Sequence, residues 1–348
     1  MKRTSVALAA GLIGSALVAP PAEAAAVWTT PLADQPAAVE VAAFWLGDGG
    51  ANLRNATPYN VQTAVDKVIS RDGVPADTKP GTVAPIPPAD SGEASTKTPA
   101  TSGKVFFTGA DGLPHWCTGT AVQSNFRNLV ATAAHCVLDT QRSDAALGKW
   151  VFVPGYAEGA TPQGLYVGKG AFTHYDFPTY DDYDRDYAFV NVYNGVMPSA
   201  SGELTNFGRL VDNTGGQGLA WNQPLDSTVD VFGYPAGPHP DGKRPYTGET
   251  LESSSGRTTA AAVPSLKAEE FTAVESPFTG EGSLGSSWLL HYDKSSRLGL
   301  LNGVTVSVAD TDGNQRYDTS FSPYFDGELA EIYRAAANQW SGSIILPA

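Results

Sequence analysis

The feature that most constrains this chain is a short apolar run at residues 130–136 that ends in a histidine and a cysteine. Its β-branched and small residues predict a buried strand that stops at His135. A second strand-like run begins at Cys117, and the sequence has no cysteines other than Cys117 and Cys136, so one disulfide can form. Such a bridge would hold His135 in place, and a general base needs a fixed imidazole. The alternative is a structural disulfide beside an incidental histidine.

The composition limits the classes of function open to the chain. Its 348 residues are 42% hydrophobic, enough for a sizeable core, and carry a net charge of −14 at pH 7. That charge argues against binding to nucleic acid, whose phosphates need a basic face. Residues 1–24 combine Lys2 and Arg3 with an apolar stretch and a small-residue cleavage site, which predicts a secretory signal peptide. We therefore expect a secreted, extracellular protein that is not held in a membrane once this peptide is removed.

Residues 25–103 differ in composition from the rest of the chain. Residues 60–69 carry valines at helical spacing and predict a helix. Beyond Asp72 the segment is rich in Pro, Thr, Ser and Ala and has almost no large apolar side chains, which is typical of an extended linker. We interpret residues 25–103 as a propeptide and linker, because they lie between the signal peptide and a different kind of sequence. The alternative is a disordered spacer.

From residue 104 onward the chain consists of short β-rich runs separated by turn residues. This pattern is typical of an antiparallel barrel or sandwich, and residues 328–339 add an amphipathic helix near the end. We therefore predict an all-β domain over residues 104–348 with a C-terminal helix. The predicted strands are residues 104–108, 117–122, 128–132, 149–154, 165–172, 187–193, 228–234, 287–292 and 299–308.

Asp186 is the candidate partner of His135. It opens a strand-like run of Tyr, Ala, Phe and Val. A carboxylate at the start of a strand can accept the second imidazole N–H and orient the base. The alternative is that Asp186 ends the acidic loop at residues 181–184, which we expect to be a solvated turn.

Three motifs together resemble the trypsin/chymotrypsin family of serine peptidases. Residues 132–136 match the family's T-A-A-H-C motif, which follows a C-x-G-x strand, and residues 186–189 match its D-x-A-F motif. Residues 231–235 are similar to the G-Y-P strand end of the secreted bacterial branch, which includes glutamyl endopeptidases. The resemblance implies a chymotrypsin-like fold of two packed antiparallel β-barrels with a C-terminal helix.

The same resemblance assigns roles to single residues. It implies a disulfide between Cys117 and Cys136, His135 as the general base, and Asp186 as the carboxylate that orients it. It also implies hydrolysis of peptide bonds. The glutamate-specific branch has a histidine on its substrate-binding strand where this chain has Thr305, so the sequence does not support glutamate specificity.

The nucleophile motif departs from the family pattern, which reads G-x-S-G-G-P and is often followed by Trp. An ungapped alignment on Gly282, Gly285 and Trp288 places Leu284 in the nucleophile position. Leucine has no nucleophilic atom. Ser283 is the best remaining serine, and backbone N–H groups around Gly282 and Gly285 would then form the oxyanion hole.

The sequence leaves more than one function open. The first is peptide-bond hydrolysis by Ser283, His135 and Asp186. The second is a catalytically inactive homologue that binds polypeptides without cleaving them, and a third is a structural surface protein with no peptide cleft. The first two imply a polypeptide substrate or ligand as partner. We expect no cofactor and a monomeric protein.

One acidic loop offers oxygen atoms of the kind that bind calcium. Asp310, Asp312 and Asp318 follow a predicted strand, but their spacing does not match an EF-hand loop. We interpret this loop as a polar turn and predict no metal site.

Overall fold

The computed structural model describes residues 26–59, 64–65, 67–70, 73–74, 76–89, 98–140 and 145–345. The predicted signal peptide lies outside these residues. The described residues up to 89 form short strands and one interrupted helix: β1 (Val27–Pro31), α1 (Gln35–Asn55), β2 (Thr57–Pro58), β3 (Ile69–Ser70) and β4 (Gly81–Val83).

A closed six-stranded barrel follows. Its elements are β5 (Ser102–Thr108), β6 (Pro114–Val122), β7 (Leu129–Thr132), β8 (Gly148–Pro154), β9 (Tyr166–His174), α2 (Asp176–Tyr180) and β10 (Ala188–Val192). The strand order is β9-β10-β7-β6-β5-β8, and the pairing of β8 with β9 closes the barrel. Every residue of β7 and β10 is buried, which explains why both strands are continuous, largely apolar runs.

A second sheet contains most of the remaining strands, and β11 and β12 form a separate hairpin. The elements are β11 (Gly195–Pro198), β12 (Leu204–Gly208), α3 (Leu210–Thr214), β13 (Gly218–Trp221), β14 (Thr228–Gly233), β15 (Glu252–Val263), β16 (Ala268–Glu275), β17 (Ser287–Asp293), β18 (Leu298–Val304), β19 (Ser307–Ala309) and β20 (Thr319–Pro323). The order in the sheet is β19-β20-β16-β15-β14-β17-β18-β13-β4, with β3 added at β15.

The described N-terminal residues are built into both sheets. β1 pairs with β9 of the barrel, and β4 pairs with β13 of the second sheet. Helix α1 is capped by Asp34 and buries Trp45, whose indole N–H donates to the Lys149 carbonyl at 2.6 Å. Residues 47–50 interrupt the helix with non-helical backbone.

The helix expected at residues 60–69 is a wrong prediction for the part of this stretch that the structure describes. Ala64 forms a β-bridge with Val308, and Ile69 and Ser70 form β3. Val65 and Ile69 therefore lie against separate strands, β19 and β15, rather than on one helix face.

The C-terminal helix is present as α4 (Gly327–Ala337). Asp326 caps it by accepting the Leu329 N–H at 2.9 Å, and its apolar face packs on β9 and β10. The predicted all-β, chymotrypsin-like fold class with a C-terminal helix is confirmed. Among the described residues, no helix is both long enough and apolar enough to cross a membrane.

Candidate active site

His135 lies in a single 3-10 turn, Ala134–Cys136, directly after β7. The Cys117–Cys136 disulfide is present and ties this turn to β6. The Trp150 indole donates to the Cys136 carbonyl at 3.0 Å. The disulfide and the Trp150 hydrogen bond hold the turn in place, and His135 is only 1% exposed.

Asp186 reaches His135 because their strands are neighbours. β7 and β10 pair with Ala188 opposite Thr132, which brings both residues to the same end of the barrel. Asp186 Oδ2 lies 2.5 Å from His135 Nδ1, and Oδ1 accepts the His135 backbone N–H at 3.0 Å. With the carboxylate ionised, Nδ1 keeps its proton and Nε2 presents a lone pair, as in a general base. The structure therefore brings these two predicted residues together.

Ser283 is directed into its own turn rather than toward the base. Its hydroxyl donates to the carbonyl oxygens of Thr279 at 2.6 Å and Gly280 at 3.0 Å. His135 Nε2 is buried and has no hydrogen-bond partner in the described part of the chain. The structure does not join Ser283 to His135.

Leu284 lies where the barrel meets the second sheet. Its carbonyl accepts the Thr118 N–H of β6 at 2.8 Å. The next N–H, that of Gly285, donates at 2.7 Å to the carbonyl of Thr305, between β18 and β19. The Leu284 side chain is completely buried in the main core. The residue aligned with the family's nucleophile is thus tied to the strand that carries Cys117.

Two glycines are required for this turn. Gly282 and Gly285 have φ values of +78° and +82°, which favour glycine. A Cβ at Gly282 would lie 2.3 Å from the Trp116 ring, and one at Gly285 would lie 2.1 Å from the Thr118 carbonyl oxygen. The Gly285 N–H, which the sequence suggested as an oxyanion donor, is bonded to Thr305 instead.

Thr118 is a site residue that sequence reasoning missed. Its hydroxyl donates to the Gly282 carbonyl at 2.9 Å and accepts the Tyr234 N–H at 3.0 Å. It therefore fastens the turn to β6 and to the end of β14. Its place directly after Cys117 was the signal that could have identified it.

The acidic loop before Asp186 is not the solvated turn that we expected. Asp184 is buried and accepts the backbone N–H groups of Glu269 at 2.7 Å and Glu270 at 2.9 Å. Burial raises its pKa to about 6. These hydrogen bonds attach the loop to β16. Asp186 lies between this loop and β10, so the attachment also holds Asp186 in place.

Asp310, Asp312 and Asp318 place carboxylate oxygens within 4.8 Å of one another. Oxygen atoms of this kind suit calcium. Asp310 already accepts the N–H groups of Gly313 at 2.9 Å and Asn314 at 3.1 Å, which is the hydrogen bonding of a polar turn.

No protein-family model matches the chain, and no curated protein matches it in sequence. Solved structures do match. The protease Anisep from Arthrobacter nicotinovorans is 26% identical over 70% of this chain and 99% of its own, with a TM-score of 0.57. A thermostable serine protease, AL20, from an extremophilic microorganism is also 26% identical, over 69% of this chain and 100% of its own, with a TM-score of 0.55.

A glutamyl endopeptidase solved in complex with MPD is more distant in sequence. It is 18% identical over 71% of this chain and 95% of its own, with a TM-score of 0.50, and so supports the fold alone. The structural neighbours and the strand topology agree with each other. The chain has the fold of the trypsin/chymotrypsin-like serine peptidases.

Proposed function

We propose that this protein binds an extended polypeptide where its barrel meets its second sheet and does not hydrolyse it. The proposal rests on the position of Leu284. Its carbonyl accepts the Thr118 N–H, and the N–H of the next residue, Gly285, donates to the Thr305 carbonyl. A serine at the aligned position would give its proton to the imidazole and attack the substrate carbonyl. Leucine has no atom that can do so.

Ser283 is poorly placed to act as the nucleophile instead of a serine at position 284. Its hydroxyl donates to two carbonyl oxygens of its own turn, those of Thr279 and Gly280. Rotation toward His135 would break both contacts inside a buried turn. A displacement of about 1 Å from the reactive geometry costs roughly a hundredfold in rate.

One feature outside the nucleophile position supports polypeptide binding. Among the described residues, β19 is the end strand of its sheet, and an end strand can pair with an added peptide backbone.

Hydrolysis is the second candidate, and the complete His135–Asp186 pair favours it. In this case Ser283 Oγ would attack the peptide carbonyl carbon while His135 Nε2 takes the hydroxyl proton. The proton would then pass to the leaving amine, and Asp186 would stabilise the imidazolium.

We also propose that the protein is secreted through the signal peptide at residues 1–24. One disulfide between Cys117 and Cys136 suits an oxidising compartment. We keep the interpretation of residues 25–103 as a propeptide and linker as a proposal.

The test combines binding and cleavage in one sample. The chain without its predicted signal peptide, residues 25–348, is titrated with reduced, carboxymethylated α-lactalbumin, a permanently unfolded polypeptide, and the mass of that polypeptide is measured after a day. We expect a saturable complex and an intact polypeptide, with trypsin as the positive control for cleavage. Fragments that disappear with Ser283→Ala would establish hydrolysis instead.

A matched variant locates the binding. The Val308 carbonyl faces the outer edge of β19, where it accepts an N–H from Val65. Val308→Pro removes a backbone N–H at this edge, and edge positions tolerate proline. We expect weaker polypeptide binding by this variant. Saturable binding that Val308→Pro leaves unchanged would contradict pairing of the polypeptide with the edge of β19.

A further inference from the structure

Lys104 of β5 is a buried lysine whose side-chain nitrogen lies among aromatic rings. The residue is only 1% exposed, and lysine is rarely buried to this extent. Its Nζ lies 3.6 Å from the centroid of the Trp116 ring and 4.2 Å from that of Tyr156. Tyr234 and Phe106 are farther away, at 5.6 Å and 5.8 Å. These four rings form an aromatic cage around the Lys104 ammonium.

The cage opposes the positive charge of Lys104. Aromatic rings attract a cation, but burial removes the water that stabilises the ammonium and lowers the pKa of Lys104 to about 7. Glu249 attracts the ammonium and acts in the opposite direction. Burial raises the pKa of Tyr156 to about 12 and also raises that of Tyr234, while the Arg54 guanidinium near Tyr156 stays charged. Lys104 is therefore the group of the cage that changes its charge near neutral pH.

Trp116 connects the cage to the turn at residues 280–286. A Cβ at Gly282 would lie 2.3 Å from Cη2 of the Trp116 ring, and a Cβ at Gly248 would lie 2.6 Å from the same atom. The ring edge is thus in close contact with two backbone positions that lie outside the β-strands. Because these two positions cover the ring, a movement of the turn would uncover the cage and admit water to Lys104.

Tyr234 gives a second connection between the cage and the turn. Its backbone N–H donates to the Thr118 hydroxyl at 3.0 Å, and that hydroxyl donates to the Gly282 carbonyl at 2.9 Å. The Tyr234 phenol donates to the Tyr156 carbonyl at 2.8 Å, which joins two residues of the cage to each other. The cage and the turn are therefore linked through Trp116 and also through Thr118.

We propose that Lys104 is a pH-sensitive switch for this turn: protonation of its amine favours an open arrangement in which the turn moves off Trp116 and water reaches the ammonium. A closed cage binds the proton weakly, whereas a hydrated Lys104 binds it as an ordinary lysine does. Lowering the pH toward 7 therefore favours opening, until the closed cage is protonated as well. The switch acts in the chain without any ligand, so it is independent of polypeptide binding.

Hydrogen exchange of single backbone amides tests the switch. It is followed by NMR in the isotope-labelled chain of residues 25–348. The Gly285 N–H reports on the turn because it donates to the Thr305 carbonyl. Its protection factor, corrected for the intrinsic exchange rate, should fall about tenfold from pH 8 to pH 6 and level off below about pH 7, because only the open state binds the proton over this whole range.

Three variants assign this pH dependence to a residue. Lys104→Met removes the amine but keeps an unbranched side chain, and its Gly285 protection factor should differ less than about twofold between the two pH values. Lys149→Met is the matched control, because Lys149 also lies over an aromatic ring, that of Phe44, but is exposed. It should keep the tenfold fall. Glu249→Gln leaves the rings unchanged and removes a group that attracts the ammonium, so protection should level off at a lower pH.

A fall of the same size in Lys104→Met would assign the pH dependence to another titratable group and overturn the proposal. Exchange of the Gly285 N–H that accelerates in dilute urea as strongly as whole-molecule unfolding would also overturn it, because the fall would then report the stability of the entire fold. If Lys104→Met does not fold, Glu249→Gln decides. Protection that levels off at the same pH as in the unchanged chain would contradict the switch.

Discussion

The His135–Asp186 corner and the turn at residues 280–286 are both held by bonds to neighbouring strands but differ in chemistry. In the corner, a disulfide and two Asp186 contacts hold an imidazole as a base. In the turn, backbone hydrogen bonds with Thr118 and Thr305 hold the chain on both sides of the nucleophile position, but the residue there is Leu284. Glycines and interstrand contacts can therefore keep the backbone of such a turn in place without a nucleophilic hydroxyl.

The largest expected effect comes from restoring that hydroxyl. If only the nucleophile is missing, Leu284→Ser should react with a fluorophosphonate at least about a hundredfold faster than the unchanged chain, because His135 can then accept its proton. The rate is measured by intact mass over time. Leu284→Ala is the matched control for cavity formation. Equal labelling of the two variants would show that the turn lacks more than a hydroxyl.

The second prediction concerns the disulfide that fixes the corner. The bridge joins cysteines 19 residues apart, and a loop of this length stabilises a fold by about 3 kcal/mol. We expect the double variant Cys117→Ala/Cys136→Ala to lose about this much free energy of unfolding in urea titrations. A reducing agent should destabilise the unchanged chain and leave the double variant as it was. Equal midpoints for both chains would contradict the role we give the bridge.

The third prediction concerns the backbone of the turn. Gly285→Ala should lower the free energy of unfolding by about 2 kcal/mol more than Gly313→Ala, because a forced close contact adds to backbone strain. Both glycines have positive φ, but a Cβ at Gly285 would meet the Thr118 carbonyl at 2.1 Å, and one at Gly313 would meet nothing within 4 Å. Chemical denaturation measures the difference. Similar losses would mean that the turn can shift away from β6.

The smallest expected effect is a change in pH dependence. Burial raises the pKa of Asp184 to about 6, above the ordinary value near 4 for an aspartate. Between about pH 4 and pH 6 the folded state keeps a proton that the unfolded state has released, so the free energy of unfolding falls as pH rises. Asp184→Asn should make this fall shallower in melting temperatures measured across that range.

The control for this prediction is Asp181→Asn, whose side chain is 59% exposed. It should keep the slope of the unchanged chain. Burial also raises the pKa of Asp326 to about 6, so the slope in Asp184→Asn should shrink without vanishing. An unchanged slope in Asp184→Asn would contradict the buried position of this carboxylate.

The sequence predicted the strands of the barrel better than the N-terminal segment. Strands such as β7 and β10 are continuous apolar runs between turn residues, and such a run predicts a buried strand from the local sequence alone. Helix α1 was missed because its signal is weak: it is rich in small residues and broken at residues 47–50. At residues 60–69 the spacing of apolar residues predicted a helix wrongly, because Val65 lies beside β19 and Ile69 pairs with β15.

The site was predictable to different degrees. A motif fixed in sequence, such as residues 132–136, predicted the position of His135. The burial of Asp184 depends on the backbone of β16, far away in the chain, and no local pattern could reveal it. The direction of the Ser283 hydroxyl depends on the path of its turn, so only the structure could describe it.

Fluorophosphonate labelling of the unchanged chain, residues 25–348, tests most directly whether the site contains an activated serine. Intact mass scores the adduct, peptide mapping locates it, and trypsin is labelled alongside. We expect no adduct, because the residue at the nucleophile position is Leu284 and the Ser283 hydroxyl donates to carbonyl oxygens of its own turn. A stoichiometric adduct on Ser283, lost in Ser283→Ala, would contradict it and identify an active serine hydrolase.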